Sequence, residues 1–535
     1  MTIEPTDENL IVGVIGAGAM GRGIAQVAAT GRCNVKIYDT RQESSVEAVE
    51  FISGMLNRAV DKGRMEEEDA KTAIARIEII DAMVGFGDAH VVIEAATENL
   101  NIKRKIFAEL ESVVADDIIL VSNTSSLSIT TIASECSHPE RVAGFHFFNP
   151  VPLMKLVEVI DGVRTASHIP DFLMGLGKRM GRVPVRVADA PGFLVNQVGR
   201  GYTIEAAHLN SEGVADYVTV DRIMRDAAGF RMGPFELLDL TALDVTHPAT
   251  ELIYQQFYDE PRYRPSSMMN TRMEAGLLGR KTKQGFYVYE GGKQTVPEEA
   301  AAPAYDGRKV WVSPTNSDAH ANVTALLKTL NANIDEGEEP DDVSLVIVMP
   351  LGLDATTTTL EEGANPEHTI ALDTLFPLSL RRTLMKTPIT KPDYADAALG
   401  LFNSDETEAC IINDSAGFVA QRILAMIINI GCSIAQSGAA TPEDIDKAVT
   451  LGLGYPHGPL SFGDTLGPDR ILEILLSVHE VSCCCCLTGR VPLGAGCVQS
   501  SSEDLSGLQS SAASKICTEQ PAVSEHYTVR RLLGC

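Results

Sequence analysis

Leu10 to Ile15 is an unbroken apolar run of strand character, and it passes directly into Gly16-Ala17-Gly18-Ala19-Met20-Gly21 and a helical pattern from Arg22 to Ala29. This strand, glycine turn and helix restrict the start of the chain to a dinucleotide-binding α/β unit. Gly16 permits the tight turn, Gly18 lets a pyrophosphate approach the backbone, and Gly21 lets the helix pack closely. The helix N-terminus offers free N–H groups to the phosphates. A second strand, Asn34 to Tyr38, ends at Asp39, about 20 residues after the first glycine, where a carboxylate accepts hydrogen bonds from both adenosine ribose hydroxyls and repels a 2′-phosphate. The expected cofactor is NAD rather than NADP. Arg41 is dissonant, because a nearby arginine can accommodate NADP, and it reads as a surface residue.

Further strands are expected at His90 to Glu94, Ile118 to Ser122 and Arg141 to His146, flanked by helical patterns such as Lys103 to Val114. Alternating strands and helices imply a parallel doubly wound sheet, whose ligands sit beyond the carboxyl ends of the strands. Thr97 to Asn99 and Asn123 to Ser126 fall at those ends and are candidate site loops.

With 535 residues and 44% hydrophobic content, the chain is too long for one core, and three or four domains are expected. A net charge of −28, from 72 acidic and 44 basic residues, opposes nucleic acid or an anionic membrane as a partner. Anionic ligands must be held by local devices such as helix N-termini. The polar, acidic start at Met1 to Leu10 suits neither a secretory signal nor a transit peptide, and no apolar stretch approaches the length of a membrane span. A soluble cytoplasmic protein is expected. Before residue 480 the cysteines are Cys33, Cys136, Cys410 and Cys432, without ligand spacing, so reduced thiols and no metal site are expected.

Gly144-Phe145-His146-Phe147-Phe148-Asn149-Pro150-Val151-Pro152 places a histidine at a strand end, and Leu156-Val157-Glu158-Val159 supplies a carboxylate twelve residues later. Oxidising a secondary alcohol needs a base for the hydroxyl proton while hydride leaves the carbon, and a neutral imidazole suits that near pH 7. A buried carboxylate could orient the ring. Spacing alone leaves a core histidine satisfied by a backbone carbonyl equally open.

Four motifs in order now carry a family resemblance. They are Ser122-Asn123-Thr124-Ser125-Ser126, His146-Phe147-Phe148-Asn149-Pro150, Pro191-Gly192-Phe193-Leu194-Val195-Asn196 and Met232-Gly233-Pro234-Phe235-Glu236-Leu237-Leu238-Asp239. Through them the chain resembles the 3-hydroxyacyl-CoA dehydrogenases. The resemblance implies NAD-dependent, reversible oxidation of a (3S)-3-hydroxyacyl-CoA to the 3-oxoacyl-CoA, an acyl-CoA partner, and a Rossmann-type domain followed by an all-α C-terminal domain. It implies His146 as catalytic base, Glu158 as its partner, and Ser125 and Asn196 as hydrogen-bonding groups near the substrate 3-oxygen. Glu98 and Lys103 match family positions near the nicotinamide half and the phosphates. Read singly, Ser125 could cap a helix, Asn196 satisfy a backbone group, and Lys103 be a solvated surface charge. Long two-copy members of this kind resemble enzymes of 3-hydroxybutyryl-CoA metabolism and of phenylacetate breakdown through 3-hydroxyadipyl-CoA, beside fatty acid beta-oxidation.

The second half repeats part of the first. Asp189-Ala190-Pro191-Gly192-Phe193-Leu194-Val195 recurs as Asp414-Ser415-Ala416-Gly417-Phe418-Val419-Ala420, and Gly233-Pro234 recurs as Gly458-Pro459, both displaced by 225 residues. Asp221, Asp239 and Asp244 keep that displacement at Asp446, Asp464 and Asp469. The expected organisation is an NAD-binding domain over 1–189, a first helical domain over 190–290 closed by Gly279 to Tyr289, and a linker over 291–308. A degenerate α/β region over 309–413, with strands at Ser344 to Pro350 and Thr369 to Leu372, then leads into a second helical copy over 414–480. No glycine fingerprint precedes the degenerate region, Leu375-Phe376-Pro377 offers no histidine, and Asn196 becomes Gln421. The second half is therefore expected to be catalytically silent and to pack helical domain on helical domain, within the chain or in a homodimer. From Val481, with Cys483-Cys484-Cys485-Cys486, the tail over 481–535 loses hydrophobic period and is expected to be disordered, as an altered reading frame would make it. Two rival readings are a dehydrogenase of free 3-hydroxy acids and a catalytically inactive NAD(H)-binding scaffold or sensor.

Overall fold

The structure, a computed structural model, describes residues 4–487. Its first sheet contains β1 (Ile11–Ile15), β2 (Asn34–Tyr38), β3 (Ile77–Ile79), β4 (Val91–Glu94), β5 (Ile119–Ser122), β6 (Val142–Phe147), β7 (Leu156–Asp161) and β8 (Val183–Ala188), in the order β3-β2-β1-β4-β5-β6-β7-β8. The central strands β4 and β5 are buried at every residue, as apolar runs covered on both faces should be. Around them lie α1 (Ala19–Thr30), α2 (Gln42–Asp61), α3 (Glu67–Ala75), α4 (Leu100–Val113), α5 (Ile129–Ala133) and α6 (His168–Arg179).

The expected all-parallel sheet is corrected at one seam. β6 and β7 are antiparallel, with His146 opposite Glu158. The physical reason is the connection: residues 148–155 are too few for a crossover helix, and a short turn can join only antiparallel neighbours. The turn thus brings the histidine and the carboxylate face to face.

The first helical unit comprises α7 (Val195–Ser211), α8 (Tyr217–Asp226), α9 (Pro234–Thr241), α10 (Leu243–Gln256) and α11 (Ser267–Glu274), followed by the hairpin of β9 (Val288–Glu290) and β10 (Lys293–Thr295). A second α/β unit follows, made of β11 (Val310–Val312), α12 (Ser317–Thr329), β12 (Leu345–Val348), α13 (Ala355–Glu361), β13 (Thr369–Leu372), β14 (Arg382–Lys386), α14 (Pro392–Phe402) and β15 (Ala409–Ile412). Its sheet runs β11-β12-β13-β14-β15 in sequence order. β13 and β14 are antiparallel and the other neighbours parallel, which is the pattern of β4 to β8. The second sheet therefore corresponds to the last five strands of the first and, among the described residues, has no counterpart of β1, β2 or β3.

The chain then enters α15 (Val419–Gln436), α16 (Pro442–Leu453), α17 (Pro459–Leu466) and α18 (Pro468–Leu487). Helix α18 continues past Val481, where the expected tail begins, because extending an existing helix costs far less than nucleating one. The expectation for residues 488–535 lies outside the described residues. α15 is long and apolar enough to pass for a membrane span, and 67% of it is buried inside the molecule.

The repeat is a repeat of contacts as well as residues. Asp221 accepts from the amides of Phe235 (2.9 Å) and Glu236 (3.0 Å), and Asp446 accepts from those of Leu460 (2.9 Å) and Ser461 (3.0 Å). The copies pack on one another within the chain, α7 along α15. Ala188 N–H donates to Ala439 O at 2.8 Å, and Asn413 N–H donates to Val214 O at 2.9 Å. Both donors and both acceptors are 225 residues apart, so the contact is self-complementary, as in an isologous dimer. One hydrophobic core runs from the first sheet through both helical copies to the second sheet, and each sheet has its own core on the far face.

Candidate active site

The glycine turn follows β1 and opens α1. Gly16 has φ +94°, and a Cβ there would meet Ala95 O at 2.7 Å. A Cβ at Gly21 would lie 1.7 Å from Gly16 O, whereas nothing stands within 4 Å of the corresponding point at Gly18. Gly18 is the N-cap of α1 and provides no side-chain cap, so the first-turn N–H groups border open space. Asp39, at the end of β2, accepts from Ala17 N (2.9 Å) and from Arg41 N (3.0 Å), and each oxygen keeps a lone pair for a ribose hydroxyl. Arg41 is exposed. Closed Gly21, open Gly18 and the placed carboxylate fit a dinucleotide.

At the far side of the sheet, His146 Nδ1 lies 2.7 Å from Glu158 Oε2. Glu158 Oε1 accepts the Leu194 and Val195 amides, each at 3.0 Å, so the carboxylate sits on the start of α7 and has no exposed surface. With two amides on one oxygen, the other is left to accept Nδ1–H. Nε2 is then the ring's free lone pair. The His146 ring is 5% exposed and packs against Phe148 and Phe193, with centroids 4.4 and 5.9 Å away.

Asn196, the next residue of α7, donates from Nδ2 to Ser125 O at 3.0 Å and so draws the loop after β5 to the histidine. Glu98 is the hub of that loop. Its Oε1 accepts from Thr124 Oγ1 (2.7 Å), Ser125 N (2.9 Å), Ser126 N (3.1 Å) and Ser126 Oγ (2.9 Å), with Ser125 Oγ at 3.3 Å. Burial works to raise the Glu98 carboxyl, but the Lys103 charge and these donors together hold it below the ordinary carboxylate range.

Lys103 is where the site departs most from expectation. Its ammonium is 1% exposed, donates to both oxygens of Glu94 at 2.8 and 3.0 Å, and lies 3.4 Å from Glu98. It is neither a solvated surface charge nor free to meet a phosphate. Glu94, wholly buried at the end of β4 and bonded to Ser122 Oγ at 2.6 Å, is the partner that sequence reasoning missed. The signal was available, because an acid ending a buried strand needs a cation. Asp189, which stands out in the sequence only as part of the repeat, caps α5 in the structure. It accepts from Ser128 Oγ (2.8 Å) and from the amides of Ile129 (3.1 Å) and Thr130 (2.7 Å).

In the second sheet, Asp373 N–H donates to Thr383 O as the antiparallel ladder of β13 and β14 is extended. The register makes Asp373 the counterpart of His146 and Thr383 that of Glu158, a few residues before the Leu375-Phe376-Pro377 stretch. Gln421, at the position of Asn196, donates to Asp373 Oδ1 at 2.9 Å and to Pro350 O at 3.2 Å and accepts from Gly352 N at 2.8 Å. The first copy's His146–Glu158 pair and its loop anchor are replaced by a closed polar knot.

Models of known families match most of the chain. The 3-hydroxyacyl-CoA dehydrogenase NAD binding domain matches residues 11–190, and the 3-hydroxyacyl-CoA dehydrogenase C-terminal domain matches 192–289 and again 417–483. The chain is 36% identical over 470 residues to a 3-hydroxyadipyl-CoA dehydrogenase of Escherichia coli strain K12, covering 88% of this chain and 93% of that protein. It is 39% identical over 277 residues to a probable 3-hydroxybutyryl-CoA dehydrogenase of Bacillus subtilis, which covers 52% of this chain and 96% of that protein. A crystal structure of 3-hydroxybutyryl-CoA dehydrogenase from Escherichia coli K12 superposes with TM-score 0.77 at 33% identity, over 89% of this chain and 95% of that one.

Proposed function

The chain belongs to the 3-hydroxyacyl-CoA dehydrogenase family and is an NAD-dependent oxidoreductase, and from that premise we propose that its first half oxidises the 3-hydroxyl of an acyl-CoA thioester with His146 as base. The observation that carries the assignment is the line from Leu194 and Val195 through Glu158 to His146. Two backbone amides fix the carboxylate, the carboxylate fixes Nδ1–H at 2.7 Å, and Nε2 is left as proton acceptor. As the imidazolium forms, Glu158 stabilises it without changing position, so no reorganisation is required at the moment of proton transfer.

Gly16, Gly18, Gly21 and Asp39 would hold NAD, which would supply a hydride acceptor beside C3. Ser125 and Asn196 orient the 3-oxygen toward Nε2. Glu98 holds the Ser125 loop in place, and Lys103, pinned by Glu94, fixes Glu98 in turn. The same groups serve the reverse reaction, in which protonated His146 returns its proton to the oxygen.

The test is NADH formation from (3S)-3-hydroxybutyryl-CoA and from free 3-hydroxybutyrate, with wild type and His146→Gln. Wild type is expected to turn over the thioester far faster than the acid. The variant is expected to lose at least about a hundredfold in kcat while retaining NADH binding by fluorescence. Equal rates for wild type and variant would overturn the role of His146, and equal rates for thioester and acid would overturn the substrate class.

A further inference from the structure

α7 carries a second buried polar side chain four positions beyond Asn196, on the same face of the helix. Arg200 is 9% exposed. Its hydrogen bonds all go to neutral acceptors: Nε to Asn196 O at 3.2 Å, and Nη1 to Thr246 O at 3.3 Å and Thr250 Oγ1 at 2.5 Å. Among the described residues Nη2 has no hydrogen bond and the guanidinium has no carboxylate partner. Burial without a counter-charge pulls its pKa down to about 10.

The second copy adds an independent observation. Tyr455, in the turn between α16 and α17, reaches across the interface to pack on Tyr202 and Phe230, with centroids 5.3 and 4.8 Å away. It is 5% exposed, and among the described residues its hydroxyl has no partner. Burial pushes that hydroxyl up, and the nearby Arg200 charge acts against the shift. A buried cation and a buried donor, both short of an acceptor, therefore lie near one another one helical turn from the reacting end of the site. The repeat does not need this arginine for its own packing, because 225 residues later the second copy has Ala425, which is 2% exposed.

Leaving a guanidinium buried and unpaired is costly, and an anion brought by the ligand removes that cost. Four residues of helix rise about 6 Å. Three carbon–carbon bonds and a charge-assisted hydrogen bond span roughly the same length. We infer that Arg200, helped by the Tyr455 hydroxyl, binds the terminal carboxylate of a dicarboxylic 3-hydroxyacyl-CoA whose acyl chain has about six carbons, counted from that one-turn spacing. The second helical copy then contributes a residue to the substrate site of the first.

This assignment rests on the thioester reading above, and the test separates the two. kcat/KM is measured for 3-hydroxyadipyl-CoA and for 3-hydroxyhexanoyl-CoA, which has the same chain length without the carboxylate. Wild type is expected to favour the dicarboxylic thioester at least tenfold. Arg200→Met is expected to lose about a hundredfold on 3-hydroxyadipyl-CoA and less than threefold on 3-hydroxyhexanoyl-CoA, because a site built around an ionic partner penalises its absence heavily. Tyr455→Phe, which keeps the ring packing, is expected to lose about fivefold on the dicarboxylic substrate alone. Wild type with no preference, or equal losses on both thioesters in both variants, would overturn the assignment while leaving the thioester reading intact. No turnover of either thioester by wild type would overturn both.

Discussion

The two sheets of this molecule share a strand pattern and differ in what the pattern holds. In each, an antiparallel pair of strands precedes a parallel last strand, and that strand leads to a capping aspartate, Asp189 or Asp414, and a long helix. In the first sheet the antiparallel pair sets His146 against Glu158, and of the three further strands β1 leads into the glycine turn and β2 ends at Asp39. In the second, Asp373 and Thr383 occupy the paired positions, and strands equivalent to β1, β2 and β3 are missing among the described residues. The duplicated frame thus survives without the His146–Glu158 pair where it serves packing. Its helices cover α7 through self-complementary contacts, and Arg422 pairs at 2.7 Å with Glu205 across the interface.

The comparison breaks most sharply at the carboxylate position. Glu158→Gln keeps an oxygen for the Leu194 and Val195 amides but presents an amide N–H to His146, forcing Nε2 to carry the proton. kcat is expected to fall about a thousandfold, equivalent to roughly 4 kcal/mol in the barrier, with NADH affinity retained. Thr383→Val, at the paired position, is expected to change kcat by less than twofold. A comparable loss from Thr383→Val in steady-state assays would mean that the second sheet takes part in the reaction.

The Asn196 and Gln421 pair sharpens the comparison further, because one residue type serves two ends. Asn196→Ala releases the Ser125 loop and is expected to cost about thirtyfold in kcat/KM with little change in stability. Gln421→Ala leaves the Gly352 amide unsatisfied inside the protein and strips Asp373 Oδ1 of one of its two donors, Leu375 N–H at 2.9 Å remaining, and is expected to cost about 3 kcal/mol of stability with kcat unchanged. Trp311 is the sole tryptophan and lies buried in β11, so its fluorescence in urea reads the second unit selectively. The reverse assignment of losses would show that the halves had been given the wrong roles.

Features carried by local pattern were legible in the sequence: the glycine turn with Asp39, His146 with Glu158, and the 225-residue repeat. Features decided by pairing were not. β3 is three residues long and has no periodicity to read, and the reversal between β6 and β7 follows from a turn length whose meaning depends on which strands pair. Lys103 sits on an amphipathic helix and resembles a surface charge until Glu94 is found beneath it. The counterpart of His146 could not be found by residue type, since nothing in Asp373 or Thr383 resembles the pair they replace, and only the ladder register identifies them.

The smallest expected effect concerns the two capping aspartates. Asp414 accepts from Ala355 N at 2.8 Å and from the Thr356 hydroxyl, yet burial, with Asp354 beside it, pushes its pKa up to about 6 from 3.8. A carboxyl whose folded pKa lies above its unfolded value stabilises fully below the unfolded pKa. That contribution is lost as pH rises through the folded one. The second unit should therefore lose about 2 kcal/mol between roughly pH 4 and pH 6, a figure discounted for the partial exposure of the carboxyl. Asp414→Asn keeps an acceptor for the Ala355 amide and removes the titration, so the urea midpoint read at Trp311 should become flat across that window. Asp189→Asn changes the cap of α5 in the first unit and should leave the slope at Trp311 in place. A slope that survives Asp414→Asn would mean that a different buried acid governs the second unit.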